Sequence, residues 1–307
     1  METVRALMHE VVDYAGLFPP ALLDMPSTVS KYASFLAGAD RWALSRLVVP
    51  VPRLGEFERH AAALLPKKPG DDTEEPWRLS VLSAAAGDTA FEDDLNTIER
   101  FNERHNEAQA GRAIIDSIEL KAPSANAVER ALEIMPETLF PWFEINLASD
   151  YRGVIAALSE MESGAKIRTG GTTPEAHPTP LEVARFLQAC CVADVPFKAT
   201  AGLHHPFRHH AESVGCHQFG FVNIFMGAAL LWHEQVEKEE LEMVLADEHA
   251  RHFEFHPTQV SWKGRTLTLS QLRTAREKFA RSFGSCSFDE PLGDLRALKL
   301  LPAEAKA

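Results

Sequence analysis

Six apolar, β-branched strand patterns alternate with helical patterns between residues 44 and 201. The strand patterns cover residues 44–51, 77–84, 113–121, 139–147, 165–169 and 196–201. The helical patterns between them cover residues 54–65, 91–106, 125–134, 151–161 and 180–192. Strands joined by a helix-length crossover pair in parallel, and the crossover is right-handed. The alternation therefore predicts a parallel α/β fold.

The rest of the chain can supply the two further strands that close an eight-stranded barrel. Residues 219–225 are the candidate seventh strand, although residues 221–233 also have a helical pattern. Residues 282–288 are the candidate eighth strand, and residues 253–262 have the pattern of a hairpin. The length of 307 residues suits this architecture, and no repeat or linker divides the chain. We therefore predict a single (β/α)8 TIM-barrel domain over residues 1–307, with residues 1–42 as an N-terminal helical cap segment.

Charge and composition narrow the range of partners. The formal net charge of −13 argues against nucleic acid and anionic membranes, because both need a basic surface. The longest apolar run, residues 224–232, is too short to span a bilayer, and the N-terminus has no signal-peptide pattern. The four cysteines form no CxxC pattern, which favours reduced thiols and a cytoplasmic location. The sequence leaves open whether the chain forms a homo-oligomer.

Polar side chains share one face of four consecutive predicted strands. Alternate residues of a strand lie on the same face, and in a barrel one face points into the lumen. On the third to sixth predicted strands this face carries Glu119, Lys121, Glu144, Asn146, Lys166, Arg168, Lys198 and Thr200. These residues lie toward the C-terminal ends of the strands, which is the catalytic end of such barrels. A structural salt-bridge ladder is the alternative, but buried ion pairs stabilise a fold poorly compared with apolar packing. The pattern therefore favours a functional site.

This predicted cluster has more cations than carboxylates, which indicates a small anionic substrate carrying a phosphate or carboxylate. Arg168 can clamp either group with two hydrogen bonds. Desolvation or crowding by other cations lowers the pKa of a lysine and leaves a neutral, nucleophilic amine. Lys166 or Lys198 could therefore form a Schiff base with a carbonyl substrate. Glu144 and Glu119 are the candidates for moving protons. An anion-binding or ion-paired role without covalent chemistry is equally open for either lysine.

The two lysine strands resemble a pair of strands in deoxyribose-phosphate aldolase and related class I aldolases. The matching segments are residues 166–171 (KIRTGG) and 197–202 (FKATAG). The resemblance implies that Lys166 forms the Schiff base and that Lys198 lowers its pKa. It also implies that three glycines lie near the anion, namely Gly170, Gly171 and Gly202. Arg168 departs from the aldolase pattern, which has a small hydroxyl residue there. The lysine strands are also the fifth and sixth by this count, whereas those of the aldolases are the sixth and seventh.

The whole chain is also similar to a bacterial protein family recognisable by KIRTGG, FKATAGLHHP and SFGSCSF-like motifs. This second resemblance implies no particular chemistry.

Five histidines follow the sixth predicted strand: His204, His205, His209, His210 and His217. His204 and His205 come directly after the strand, which favours substrate binding or proton transfer. His209 and His210 are expected on a solvated loop or at a helix start. Because the spacing matches no established metal motif, no cofactor is predicted, and a divalent metal is the alternative.

Asn223 and the pair Asp13 and Tyr14 each have two interpretations. Asn223 lies in an apolar segment, where its amide must find hydrogen bonds, so it either faces the substrate or caps a backbone group. Asp13 and Tyr14 either reach over the barrel mouth or pack beside it.

Three functions are consistent with these patterns. The leading hypothesis is a lyase of the class I aldolase type that acts on a small anionic carbonyl or sugar-like substrate. The first alternative is a sugar-phosphate isomerase or a metal-dependent hydrolase that uses His204 and His205. The second alternative is a barrel that binds a metabolite without catalysis.

Overall fold

The computed structural model describes residues 1–67, 75–107 and 110–303. Its parallel strands form a closed eight-stranded barrel, which confirms the predicted (β/α)8 TIM-barrel class. The barrel strands are β1 (Val12–Tyr14), β2 (Leu44–Pro50), β3 (Trp77–Leu82), β4 (Ala113–Lys121), β5 (Phe140–Glu144), β6 (Gly164–Arg168), β7 (Phe197–Thr200) and β8 (Ala280–Ser285). Each strand pairs with its neighbours in chain order, and β1 closes the ring by pairing with both β2 and β8.

Helices surround this barrel and close one of its ends. Within the described ranges they are α1 (Glu2–Met8), α2 (Met25–Ala37), α3 (Leu54–Ala61), α4 (Phe91–Asn106), α5 (Ala125–Glu133), α6 (Arg152–Leu158), α7 (Pro180–Val192), α8 (Phe221–Trp232), α9 (Lys238–Ala246), α10 (Leu269–Lys278) and α11 (Asp289–Ala297). Short 3-10 helices lie at Arg41–Ala43, Val51–Arg53, Pro174–Ala176 and Ala250–His252. No helix of the described residues is long and apolar enough to cross a membrane.

Two small antiparallel sheets lie outside the barrel. A hairpin pairs His209–Ala211 with Cys216–Gln218, directly after β7. A three-stranded sheet joins Phe253–Phe255, Gln259–Trp262 and Arg265–Thr268, so the predicted hairpin of residues 253–262 is present and extended by one strand.

The main core lies between the outer faces of the barrel strands and the surrounding helices. Phe197 of β7 is fully buried, and its ring contacts those of Phe186, Phe225 and Phe279. Full burial of one such apolar side chain contributes about 1.5–3 kcal/mol. This layer fixes β7 from outside, so the side chain of the next residue, Lys198, must point into the lumen.

The predicted seventh strand at residues 219–225 is wrong, because this segment contains the start of helix α8. Residues 221–231 are all buried, so the helix is apolar on every face and lacks the one-sided period of a surface helix. The missing strand is β1, inside the predicted cap segment. It has only three residues, too few to show an alternating pattern. Lys166 and Lys198 consequently lie on the sixth and seventh strands of the barrel.

Helix α1 is the part of residues 1–42 that caps the barrel. It packs against α10, and Glu2, Arg5 and Ala6 lie over the first residues of several barrel strands. Parallel strands all begin at the same end, so α1 covers the N-terminal end of the barrel. The C-terminal end stays open.

Gly220 allows the loop after β7 to pack against the start of α8. The backbone N–H groups of Phe221 and Val222 donate to the carbonyl oxygens of His205 (3.1 Å) and Pro206 (2.9 Å). A Cβ atom at position 220 would overlap the backbone of Pro206 and Phe207. Only glycine therefore fits at this contact, which holds the histidine-bearing loop at the open end.

We expect Gly220→Ala to lower the free energy of unfolding by about 1–3 kcal/mol, because the loop backbone must move to make room. Gly293→Ala in α11 is the matched control, since a Cβ atom there would meet nothing within 4 Å. Alanine is also the better helix former by roughly 0.5–1 kcal/mol, so the control should not be destabilised. Urea unfolding followed by circular dichroism compares the variants. Equal stability of Gly220→Ala and the wild type would contradict this role of the loop.

Candidate active site

A cavity of about 1080 Å³ opens at the C-terminal end of the barrel. Its walls come from the loops after β1, β6, β7 and β8 and from the hairpin that follows β7. Glu119 of β4 and Lys166 of β6 lie at its floor. This is the end at which TIM barrels carry their chemistry.

The Glu119 carboxylate lies between two buried ammonium groups. Its Oε2 atom is 2.8 Å from Nζ of Lys166, and its Oε1 atom is 2.6 Å from Nζ of Lys198. Oε1 also accepts a hydrogen bond of 2.8 Å from Ser80 Oγ. The three charged residues are only 4%, 3% and 1% exposed, respectively. Their charges are therefore compensated by one another rather than by solvent.

Each lysine has a second carboxylate on its other side. Lys166 Nζ is 2.9 Å from Oε2 of Glu144, and Lys198 Nζ is 2.6 Å from Oδ2 of Asp13. The Asp13 oxygen also accepts a hydrogen bond of 2.7 Å from Ser282 Oγ. Five groups of alternating sign thus form a continuous chain across the lumen, from β5 to β1. We call it the lumen network: Glu144, Lys166, Glu119, Lys198 and Asp13.

The lumen network shifts the pKa values of its members. Burial alone raises the pKa of Glu119, but the charges and hydrogen bonds of Lys166 and Lys198 outweigh it and hold that pKa well below its usual range. Burial likewise lowers the pKa of Lys166, yet Glu119 and Glu144 outweigh burial and raise it above its ordinary value. The sequence-based expectation of a lysine pKa lowered by neighbouring cations is therefore wrong for Lys166 in this structure.

Lys166 and Lys198 differ in their access to the cavity. Lys166 lines the cavity floor, whereas Lys198 lies behind it, with its Nζ atom 5.9 Å from the ring centre of Trp142. A ligand at the mouth therefore meets the Lys166 amine first.

The residues predicted from sequence fall into three groups. Glu119, Glu144, Lys166 and Lys198 contact one another in the lumen network. The predicted substrate-binding residues that line the cavity are Arg168, Gly170, Gly171, Thr200, Gly202, His204 and His205. The third group lies away from the cavity, which corrects the prediction for Lys121, Asn146 and Asn223.

Strand length explains two of these corrections. Lys121 is the last residue of β4, and its exposed side chain has passed beyond the lumen. Asn146 follows the end of β5, and its Oδ1 accepts a hydrogen bond of 3.1 Å from the N–H of Ala148. Alternation along a strand predicts which face a side chain occupies, but it does not predict the depth at which the strand ends.

Asn223 caps backbone groups, as in one of its two interpretations. Its Nδ2 donates to the carbonyl oxygens of Val244 and Asp247, each at 2.8 Å. Its Oδ1 accepts from the N–H of Arg208 at 2.8 Å. All of these partners lie outside the lumen, so Asn223 joins α8 to the end of α9.

Asp13 and Ser282 belong to the site but were not predicted as members. Asp13 is 1% exposed and lies inside the lumen. It therefore neither reaches over the barrel mouth nor packs beside it, which were the two interpretations from sequence. Its only sequence signal is a single acid between Val12 and Tyr14. The recognisable clue to Ser282 is its place in the predicted eighth strand.

Two histidines at the rim are held by helix α11. His204 Nδ1 is 2.9 Å from Oε2 of Glu290, and His205 Nδ1 is 2.6 Å from Oδ2 of Asp294. The remaining nitrogen of each ring is not engaged by these contacts. His209 and His210 lie on the hairpin and line the cavity, rather than lying on a solvated loop or at a helix start.

Among the residues described, the one group of three possible metal ligands is Asp247, His249 and His252, and none of these lines the cavity. The Asp247 carboxylate already accepts from Trp262 Nε1 at 2.9 Å and lies 3.0 Å from the ammonium of Lys263. A cation in contact with the carboxylate opposes metal binding there. This group instead fixes the end of α9 to the antiparallel sheet.

Comparisons of the chain with protein-family models, with curated proteins and with solved structures gave no match. The function is therefore inferred from the residues of the site.

We expect Glu119→Gln to lower the free energy of unfolding at pH 7 by about 3–5 kcal/mol, because it leaves two buried ammonium groups without their shared carboxylate. The pKa of Glu119 is depressed in the folded state, so its contribution is fully present above the unfolded-state pKa of about 4.3 and is lost as the pH falls. The difference between wild type and Glu119→Gln should therefore shrink below about pH 4.

Urea unfolding at several pH values between neutrality and acid measures this difference. Glu212→Gln is the control, since this carboxylate is 96% exposed on the hairpin and should give no change. Equal stability of Glu119→Gln and the wild type at pH 7 would contradict the assignment.

Proposed function

We propose that the protein is an aldolase-type lyase whose Lys166 forms a Schiff base with a small carbonyl substrate that carries an anionic group. The observation that carries this proposal is the Lys166 amine, which lies at the floor of an open cavity between two carboxylates. Lys198, which has its own carboxylate partner Asp13, contacts the other oxygen of Glu119 behind the cavity floor. The lysine strands are also the sixth and seventh of the barrel, as in the class I aldolases that the sequence resembles.

The lumen network supplies what covalent chemistry at Lys166 requires. The resting ammonium must first lose a proton, and Glu119 and Glu144 lie within 2.8 and 2.9 Å of it. The neutral amine then adds to the carbonyl carbon. The former carbonyl oxygen takes one proton from the added nitrogen and one from the carboxylic acid formed in the first step, and it leaves as water. The resulting iminium bears the same positive charge as the lost ammonium, so it stays compensated by the same carboxylates.

The iminium then accepts the electron pair of the substrate bond between its α and β carbons. A carboxylate removes the proton of the β-hydroxyl group, the bond breaks, and an aldehyde and an enamine result. Protonation of the enamine and hydrolysis of the iminium release the second product and restore the amine. Two carboxylates are placed for these proton transfers: Glu119 lines the cavity floor, and Glu144, on the other side of the Lys166 amine, is the more exposed of the two at 18% against 4%.

Anion recognition is assigned to the rim of the cavity. The lumen network contains three carboxylates and two ammonium groups, so the cation surplus expected from the sequence is not found there. Arg168 is half-exposed at the mouth, and its ion pair with Glu144 is long, at 3.6 Å. Its other guanidinium N–H groups can clamp a phosphate or carboxylate. Gly170 and Gly202 bring the two adjoining loops close together, since a Cβ at Gly170 would lie 2.9 Å from Gly202 Cα.

We expect borohydride to trap a carbonyl substrate on Lys166. The protein is incubated with a panel of aldehydes, ketones and sugar phosphates, reduced, digested and mapped by mass spectrometry. Lys166→Ala should give no adduct and no turnover. Lys121→Ala is the matched control, because Lys121 is exposed outside the cavity and its loss should leave adduct formation unchanged. An adduct on Lys121 only, or none on the folded wild type, would contradict the proposal.

The rate of adduct formation should rise with pH through the neutral and alkaline range. The raised pKa of Lys166 keeps the amine protonated at neutral pH, and only its neutral form attacks the carbonyl. Single-turnover trapping at several pH values measures this rate. A rate that peaks at acidic pH would contradict the resting charge assigned to Lys166.

Arg168→Ala should weaken the binding of an anionic substrate while sparing a neutral one. Loss of a charge-assisted clamp corresponds to about a tenfold or greater rise in KM for a phosphorylated aldehyde. The unphosphorylated aldehyde is the internal control, and its KM should not change. Equal effects on both substrates would show that Arg168 does not recognise the anion.

A further inference from the structure

A second cavity, of about 820 Å³, lies at the opposite, N-terminal end of the barrel. Helix α1 closes its outer side and α10 flanks it. Residues at the start of β2, β3, β5 and β8 form its inner side, toward the lumen. Its lining contains six arginines: Arg5, Arg46, Arg78, Arg273, Arg276 and Arg281. This concentration of cations stands out in a chain whose formal net charge is −13.

Arg276 is a buried cation without a carboxylate partner. It is 7% exposed, and its guanidinium donates to the carbonyl oxygens of Leu7 (2.8 Å), His9 (3.1 Å) and Arg281 (2.7 Å). These contacts satisfy hydrogen bonds but bring no negative charge, and the carboxylates of Asp13 and Glu10 act on Arg276 only at longer range. Burial, followed by the nearby charge of Arg281, lowers the pKa of Arg276 to about 9.

Arg281 is unpaired as well. Its guanidinium makes no hydrogen bond or ion pair with any residue of the described ranges. It faces the charges of Arg46 and Arg78, which Glu277 and Glu10 offset in part. Burial and these two like charges lower the pKa of Arg281. Arg46 and Arg78 share a single carboxylate, that of Asp116, at 2.6 and 2.8 Å.

The carboxylates of the lining, Glu2, Glu10 and Glu277, compensate these charges only weakly. Glu10 is 3.6 Å from Arg78 and Glu2 is 3.7 Å from Arg273, and all four side chains are at least 37% exposed. Within the described residues Glu277 forms no ion pair and acts on Arg281 only at longer range. Solvent weakens such pairs. Stability does not explain the cluster, since apolar side chains would close this end of the barrel at lower cost. Guanidinium groups are instead the side chains best suited to binding an oxyanion.

The walls also include apolar rings. Trp42, Phe140 and Trp142 line the same cavity as the arginines. A ligand that fills the cavity would therefore place an oxyanion against the guanidinium groups and an apolar body against the rings.

We propose that this cavity binds a small organic anion, in which a phosphate or carboxylate group contacts Arg281 and Arg276 and an apolar body packs on the aromatic wall. The site is separate from the one at the mouth, and it does not depend on Schiff-base chemistry at Lys166. It adjoins the lumen network on the N-terminal side of the barrel. Two residues line this cavity and also contact the network: the Trp142 ring faces the Lys198 amine, and the Ser282 hydroxyl donates to Asp13.

Isothermal titration calorimetry of the whole protein with phenyl phosphate, inorganic phosphate and benzoate tests this proposal. We expect Arg281→Ala to weaken phenyl phosphate binding about tenfold or more, as for loss of a charge-assisted hydrogen bond. Arg168→Ala is the matched variant at the mouth, and the N-terminal site should survive it. Phenyl phosphate should bind more tightly than inorganic phosphate because of the rings. Comparison with benzoate then tells whether the site prefers phosphate or carboxylate.

Arg281→Glu provides a second measurement that does not depend on the choice of ligand. The new carboxylate would face the charges of Arg46, Arg78 and Arg276 against those of Glu277 and Glu10. With cations in the majority, we expect a higher Tm in the absence of phosphate and no phenyl phosphate binding at this end. Two calorimetric results would each overturn the proposal: no binding of any probe to the wild type, or binding that Arg168→Ala abolishes and Arg281→Ala leaves unchanged. A Tm lowered by Arg281→Glu would overturn it as well. Trapping on Lys166 is measured separately, so failure of this site and failure of the proposed lyase activity are distinguishable.

Discussion

The carboxylate of Glu119, shared by two buried ammonium groups, is the interaction on which the lumen of this barrel depends. Removing three charges from water is costly, and the cost is offset only while all partners are present. Glu119 joins β4 to β6 and β7, and the outer partners Glu144 and Asp13 extend the connection to β5 and β1. Five strands of the barrel are therefore joined across the lumen by charge as well as by backbone pairing.

The same arrangement determines how Lys166 could react. A lysine activated by crowding with cations would rest as a neutral amine, whereas Lys166 rests as an ammonium between two carboxylates. Under the proposed mechanism these carboxylates serve first as proton acceptors and then as partners of the iminium. A network selected only for stability would not need an amine at the floor of an open cavity, and apolar packing would stabilise the lumen better.

Sequence patterns predicted most of the fold, since long elements have clear periods. The bounds of α4, α7 and β4 are those expected from sequence. The sequence of α8 is ambiguous because the helix is apolar on all faces, and β1 escapes sequence prediction because three residues show no alternation. Strand faces predicted four of the five members of the lumen network, but not Asp13, whose partner Lys198 is 185 residues away in sequence. Such a contact appears only when the barrel closes.

The charge state of Lys166 tests this account most directly. NMR of the protein labelled with 13C and 15N at lysine side chains follows protonation at Nζ as the pH is raised, and Lys166→Arg assigns the signal. We expect Lys166 to stay protonated at pH values at which exposed lysines have lost their protons. Deprotonation of Lys166 near neutral pH, before the exposed lysines, would contradict the role given to Glu119 and Glu144.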